Sequence, residues 1–251
     1  MAISLDKIEA QAPALLSLAK KASNSLASYG LTGQKAKVAL VLDYSGSMSN
    51  EYRSGRMQKL AEKVLALATQ LDDDGAIDFF VFDTHAGYLG EISLDTYKDS
   101  ISAKTKGRHM GTTNYAEAFL AVRDHFGFAP TVEKRGLFGK TKVVPSPNAG
   151  PADEPVYALF LTDGAPDSKA DAVKALTEVS TAPIFWKFLS IGAEPIAFLQ
   201  KLDDLDARFV DNADYQPIGS VDSVGDDSLF ALLMEEYPTW LAEVRAKGLI
   251  R

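Results

Sequence analysis

The stretch Lys37–Ser49 reads KVALVLDYSGSMS. After Lys37 comes an unbroken run of Val, Ala and Leu that stops at Asp43. A run this short and this apolar, without polar alternation, predicts a central strand covered on both faces. Behind Asp43 the composition turns to Ser and Gly, which predicts a loop. From Arg56 to Leu71 the residues Met57, Leu60, Ala61, Val64, Leu65, Ala68 and Leu71 fall on one helical face. Strand, loop and amphipathic helix in this order are the start of a parallel crossover unit.

The same rhythm continues outward. AIDFFVFD at Ala76–Asp83, VYALFLT at Val156–Thr162 and IFWKFLSI at Ile184–Ile191 predict further strands, and a last one is read at Ala207–Val210. Tyr88–Ile92, after Gly87, is expected to be an edge strand hairpinned to its predecessor. Helical patterns fall at Leu94–Ser102, Tyr115–His125, Lys169–Ser180 and Pro195–Lys201. An amphipathic leading helix is expected from Ser4 to Tyr29, ending at Gly30 and Gly33. Asp226–Lys247 is helical in pattern, with Pro238 either kinking it or starting a second helix. The fold class that follows is a doubly wound, mostly parallel α/β sheet of about six strands, with one antiparallel edge strand and helices on both faces. Its organisation is read as a helical extension over residues 1–30, a core domain over 37–215 and a helical segment over 226–247 that packs on it. Residues 127–154, rich in Gly and Pro and carrying Lys134, Arg135, Lys140 and Lys142, are read as a loop inserted into the core domain.

Composition narrows the classes of function. The 251 residues include 34 acidic and 26 basic ones, for a net charge of -8, and no cysteine. Without cysteine there is no disulfide framework, thiol nucleophile or iron–sulfur cluster, and the histidines, His85, His109 and His125, leave little for zinc chemistry. The acidic balance argues against broad nucleic-acid binding, so no nucleic acid is expected among the partners. The apolar runs are far shorter than the roughly 18 residues of a membrane span, so no membrane span is expected. The start lacks a basic leader and the first apolar stretch is interrupted by Lys7, Glu9, Gln11 and Pro13, so no signal peptide and a cytoplasmic location are expected.

In open parallel sheets, ligands bind at the carboxyl ends of the strands, near the place where strand order reverses. There the first strand is followed by Asp43-Tyr44-Ser45-Gly46-Ser47, and the strand at Val156–Thr162 by Asp163-Gly164. Gly111-Thr112-Thr113-Asn114 precedes a predicted helix. Carboxylates and hydroxyls converging on one rim make an oxygen-only donor set, which suits a hard divalent cation. Neutral hydroxyls leave such an ion with positive character, able to attract an outside carboxylate.

DYSGS at Asp43–Ser47, GTTN at Gly111–Asn114 and LTDG at Leu161–Gly164 together resemble the metal-ion-dependent adhesion site (MIDAS) of von Willebrand factor A (vWA) domains, over about Lys37–Asp211. The resemblance implies the Rossmann-like vWA fold and a set of metal residues comprising Asp43, Ser45, Ser47, Thr113 and Asp163. It makes Ser45 and Ser47 direct ligands and Asp43 a ligand directly or through water. Thr113 would be the ligand whose coordination changes with conformation, and Asp163 the second aspartate, often acting through water. Thr112 is the neighbouring candidate, but GTTN aligns best with Thr113 in the family position. The implied cofactor is Mg2+, with Mn2+ or Ca2+ as substitutes. The implied function is metal-dependent protein binding, a protein partner supplying Asp or Glu to the ion. The leading helix and YGLTGQKAKVALVLDYSGSM are also similar to bacterial cytoplasmic members associated with tellurite resistance and stress responses. Extracellular relatives often carry disulfides, so the absence of cysteine fits an intracellular member.

Blander roles compete for each residue. Asp43, Ser45 and Ser47 are all types favoured in turns and caps. Asp83 is read as a turn residue beside His85, and Asp167 as a helix cap. Enzyme readings fare less well. A phosphatase of the haloacid-dehalogenase type needs a second aspartate as general acid where Ser45 stands. Gly-x-Ser-x-Gly with a following histidine is absent, as is any phosphate-binding glycine loop. A Mg2+-dependent phosphohydrolase with an atypical site is the alternative, and the expectation is that the chain is not an enzyme. Lys104, Lys106, Arg108 and His109, with Arg53 and Arg56, form a basic rim in an acidic chain.

Overall fold

The computed structural model describes residues 2–129, 131–133, 142–144, 151–206 and 208–251. The leading segment is divided: α1 (Leu5–Gln11) stops at Ala12, a 3-10 turn spans Pro13–Leu15, and α2 (Leu16–Ser28) follows. The continuous helix expected from Ser4 to Tyr29 is interrupted because Pro13 has no N–H to donate inside a helix. Next come β1 (Lys37–Asp43), α3 (Ser49–Arg53), α4 (Arg56–Leu71), β2 (Ala76–Phe82) and β3 (Ala86–Ser93). Then follow α5 (Ser100–Thr105), α6 (Tyr115–His125), the short strands β4 (Thr131–Glu133) and β5 (Lys142–Val144), and β6 (Val156–Thr162). The chain continues through α7 (Lys169–Val179), β7 (Ile184–Ile191), α8 (Ala197–Asp203) and β8 (Ala213–Gly219) to α9 (Asp226–Met234) and α10 (Tyr237–Ala246).

Six strands form one sheet in the order β3-β2-β1-β6-β7-β8. All neighbours are parallel except β2 and β3. Chain order therefore reverses between β1 and β6, which is the switch point where such sheets open a crevice at their carboxyl ends. Side chains alternate between two cores. Val38, Leu40 and Leu42 of β1 join Tyr157, Leu159 and Leu161 of β6 under α2, α4, α9 and α10. Ala39, Val41, Phe160, Trp186 and Phe188 face α6, α7 and α8 on the opposite side. Burial of both faces explains the apolar runs of the central strands.

Two further expectations are corrected. The last strand is Ala213–Gly219, and Arg208–Val210 is irregular. There the Arg208 guanidinium bonds Asp203 O at 2.5 Å, Leu205 O at 2.8 Å and Asn212 Oδ1 at 3.3 Å, folding the chain into a turn where an extended strand was expected. Because β8 is an edge strand it tolerates Pro217, which obscures its pattern. The helix expected over Leu94–Ser102 begins only at Ser100. Thr96 Oγ1 accepts from Ser93 N at 3.0 Å and Ser93 O from Thr96 N at 3.0 Å, so a turn occupies the segment first. Of the loop over 127–154, residues 130, 134–141 and 145–150 lie outside the described residues. Within it β4 and β5 pair antiparallel.

At the carboxy-terminal end, Glu236 has φ 58° and breaks the helix, with Pro238 in the first turn of α10. Tyr237, Trp240, Leu241 and Val244 of α10 are buried in the core beneath β6 and β7. One charge lies in the core as well: Lys187 of β7 is wholly buried and pairs with Asp214 directly opposite on β8.

Candidate metal centre

The loop after β1 starts as a self-bonded turn. Ser45 N donates to Asp43 Oδ1 at 2.7 Å, which folds the chain back over the strand end. A 3-10 turn over Gly46–Met48 then leads into α3 and leaves Ser47 exposed. Ser45 Oγ lies 3.1 Å from Ser47 Oγ, and Ser47 Oγ donates to Asp163 Oδ1 at 2.9 Å. Asp43, Ser45, Ser47 and Asp163 thus form one hydrogen-bonded chain across the ends of β1 and β6.

Three residues that the sequence reading did not single out hold Asp43 and its surroundings. Thr162 Oγ1 donates to Asp43 Oδ2 at 2.6 Å. Tyr52 OH donates to Asp43 O at 3.0 Å. Tyr115, wholly buried, donates its hydroxyl to Gly164 O, tying α6 to the loop after β6. No sequence signal marks Tyr52 or Tyr115 as site residues, because their roles arise from helices packed over the strand ends.

Thr113 makes no hydrogen bond to that hydrogen-bonded chain among the described residues and is held instead by the loop after β6. Its N–H donates to Asp167 Oδ2 at 3.1 Å, and its carbonyl accepts from Asp167 N at 2.9 Å. Asp167 is therefore a brace between loops, and the cap of α7 is Ser168, which accepts from Asp171 N at 3.3 Å. Thr112 faces another way, with its Oγ1 3.2 Å from Thr84 Oγ1. Asp83 accepts from His85 N at 2.9 Å and closes a turn. His125 packs tilted against Tyr88, with ring centroids 4.2 Å apart, and bonds Asp78 at 2.9 Å, away from the rim.

The segment before Thr113 is stitched to the loop after β1. Gly46 N donates to Gly111 O at 3.1 Å and Gly111 N to Tyr44 O at 3.4 Å. Only a residue without Cβ fits there, since a Cβ on Gly111 would lie 2.7 Å from Thr84 Oγ1 and 3.1 Å from Asp83 Cβ. Gly111→Ala is expected to cost about 1–3 kcal/mol of stability in urea unfolding, as overpacking does elsewhere. It should also displace Thr113, two residues further on.

The electrostatics suit a cation. Burial, with a smaller contribution from the charge of Asp163, pushes the Asp43 carboxyl up to about 6. The donors to Asp43 and Asp163 are neutral: Ser45 N, Thr162 Oγ1 and Ser47 Oγ. Two carboxylates so placed repel each other, and a divalent ion relieves both the repulsion and the desolvation. Among the described residues no group of three His, Asp or Glu side chains gathers in ligating geometry. A cation here therefore needs the serine and threonine hydroxyls, and the oxygen-only set fits a hard ion.

Comparisons with known proteins agree with this architecture. The chain is 32% identical over 222 residues to the uncharacterized protein YcbR of Bacillus subtilis (strain 168), covering 88% of this chain and 84% of that protein. Among solved structures it is similar to proximal thread matrix protein 1 from the mussel byssus, with a TM-score of 0.54 at 14% identity over 80% of this chain. A second crystal form of that protein matches with a TM-score of 0.51 at 15% identity, again over 80% of this chain. The chain spans less than half of those solved chains, 47% and 48% of their lengths. At such identity the likeness concerns the fold alone. The family described as vWA-TerF-like, a vWA found in the TerF C terminus, matches residues 35–134 and 140–250, and the chain belongs to it.

Proposed function

We propose that this protein is a divalent-metal-dependent binding module, without catalytic activity, that takes an acidic side chain of a protein partner at the rim formed by Asp43, Ser45, Ser47, Thr113 and Asp163. The observation that carries this reading is the hydrogen-bonded chain from buried Asp43 through Ser45 and Ser47 to Asp163, in which the two carboxylates meet only neutral donors among the described residues. When bound, a divalent ion supplies a positive centre at which a partner carboxylate completes the coordination. The protein's own residues do the rest. Thr162 and Ser45 hold the Asp43 carboxylate, Asp167 sets Thr113, and exposed Ser47 faces the partner. Mg2+ is the favoured ion, with Mn2+ or Ca2+ as substitutes.

A tellurite-resistance or stress-response setting and a cytoplasmic location belong to the same reading. Among the described residues no helix is long and apolar enough to cross a membrane.

Chemical unfolding with and without metal tests the reading. Mg2+ at a hundredfold excess over Kd is expected to stabilise the wild type by about 2.7 kcal/mol. Asp43→Ala and Asp163→Ala should abolish that gain, and a chelator should reverse it. No gain in the wild type, or an equal gain in both variants, would show the site is not a metal centre. Loss of a bound partner from Asp163→Ala in a pull-down would extend the test to binding.

A further inference from the structure

We infer that Lys106 and Arg108, with Arg53, form a second anion contact beside the metal rim, so that the partner segment carries at least two carboxylates, one for the ion and another for these bases. This rests on the proposed function, and adds to it the chemical class of the segment that docks.

The geometry anchors the bases to the site. The loop from Lys106 to Met110 is tied at both ends to the segment Tyr44–Gly46. At one end Tyr44 OH donates to Thr105 O at 3.4 Å, and Arg108 N donates to the same carbonyl at 3.1 Å. At the other end Gly111 bonds Tyr44 O and Gly46 N, and Ser45 and Gly111 form a parallel bridge. Arg108 is thus three residues from a bridge to a proposed ligand. Arg53 ends α3, the helix that follows the metal loop, and bonds Asn50 Oδ1 at 2.5 Å and Ser49 O at 3.3 Å.

The bases differ in what they already hold. Arg56 pairs with Glu51 at 3.0 Å and Asp222 at 2.9 Å, Lys59 pairs with Asp222 at 2.7 Å, and Lys104 donates to Leu89 O at 3.0 Å. Arg56 and Lys104, grouped with the rim by sequence alone, are therefore engaged within the chain. Lys106, Arg108 and Arg53 are exposed, and among the described residues none of them bonds a carboxylate.

Charge elsewhere sharpens the direction of approach. Exposed Asp167 and Asp171 lie on the α7 side of the rim, so a second partner carboxylate is favoured on the Arg108 side. At the opposite end of the sheet, Asp203, Asp204, Asp206, Asp211, Glu236 and Glu243 line a cleft of about 510 Å³. An acidic segment is repelled from that end and drawn to the metal end, which raises the association rate more than the affinity.

Fluorescence anisotropy in Mg2+ with two labelled synthetic peptides tests this, one with a single glutamate between glycines, the other with three consecutive glutamates. Wild type is expected to bind the triple-glutamate peptide about tenfold more tightly, with a preference that shrinks as salt rises. Lys106→Ala with Arg108→Ala should remove the preference while keeping the Mg2+ stabilisation of the fold. Lys7→Ala with Lys20→Ala, the same charge change on the leading helices, should keep both. If the Mg2+-stabilised wild type binds both peptides equally, or neither, the inference falls while the metal centre stands. A preference that survives in the Lys106/Arg108 double variant also overturns it. A wild type that gains no stability from Mg2+ overturns the underlying reading instead.

Discussion

Replacing Lys187 with methionine is expected to destabilise the protein by about 3–5 kcal/mol, the cost of leaving a buried partner charge uncompensated. Lys187 sits in the middle of IFWKFLSI, a strand otherwise apolar, and its side chain is wholly buried against Asp214. Burial lowers the Lys187 pKa and raises that of Asp214, with the lysine opposing the rise. The charge of Glu235 also acts on both members of the pair, and Gln216 Nε2 donates to Glu235 at 2.8 Å. Without the lysine the carboxyl of Asp214 becomes easier to protonate in the folded state than in the unfolded chain. The folded state then binds more protons above the ordinary carboxylate pKa of about 3.9. Stability of the variant should therefore fall as pH rises from there through the raised folded pKa. Urea unfolding at pH 5 and pH 8 checks this, with the larger loss at pH 8. Lys187→Met combined with Asp214→Leu should recover most of the loss, because an apolar pair of similar volume replaces a buried ion pair with little penalty. Full loss in the double variant would show that the pair acts through shape and not charge.

Phe160→Ala is expected to cost about 3–5 kcal/mol and to weaken the Mg2+ response as well. Phe160 on β6 stacks on Phe82 at 4.5 Å and meets Tyr115 edge-on at 4.9 Å. Phe188 and Phe119 close the cluster at 5.3 and 5.6 Å. A cavity there removes the surface against which Tyr115 rests, and the Tyr115 hydroxyl holds Gly164, next to Asp163. Phe185→Ala provides the contrast. Phe185 is equally buried but packs on the other face, against Tyr157 at 5.6 Å and Trp240 at 5.4 Å. It should cost comparable stability and leave Mg2+ affinity unchanged. Equal loss of Mg2+ affinity in both variants would mean that the core acts on the rim through global stability alone.

Much of the fold was legible because burial on both faces leaves a strong trace. β1, β6, β7, α4 and α6 fall where their apolar runs and periods place them. The pattern failed where polar contacts decide the backbone. Arg208 turns the chain where a strand was read, the Ser93–Thr96 turn delays α5, and Pro13 divides the leading helix. The candidate rim was legible in part, since Asp43, Ser45, Ser47 and Asp163 lie in short motifs at strand ends and the structure joins them in one hydrogen-bonded chain.

By itself, the sequence determined which strands are central and where their carboxyl ends carry acid and hydroxyl groups. These follow from local composition, because burial on both faces leaves an unbroken apolar run that stops at the strand end. The tertiary structure alone decided that Thr162 and Tyr52 hold Asp43, that Asp167 braces Thr113, and that Arg56 is paired with carboxylates while, among the described residues, Lys106 and Arg108 are not. Such relations join residues up to 166 positions apart, as between Arg56 and Asp222. Local pattern cannot carry them, because they exist only once the sheet order has brought separate loops to one end.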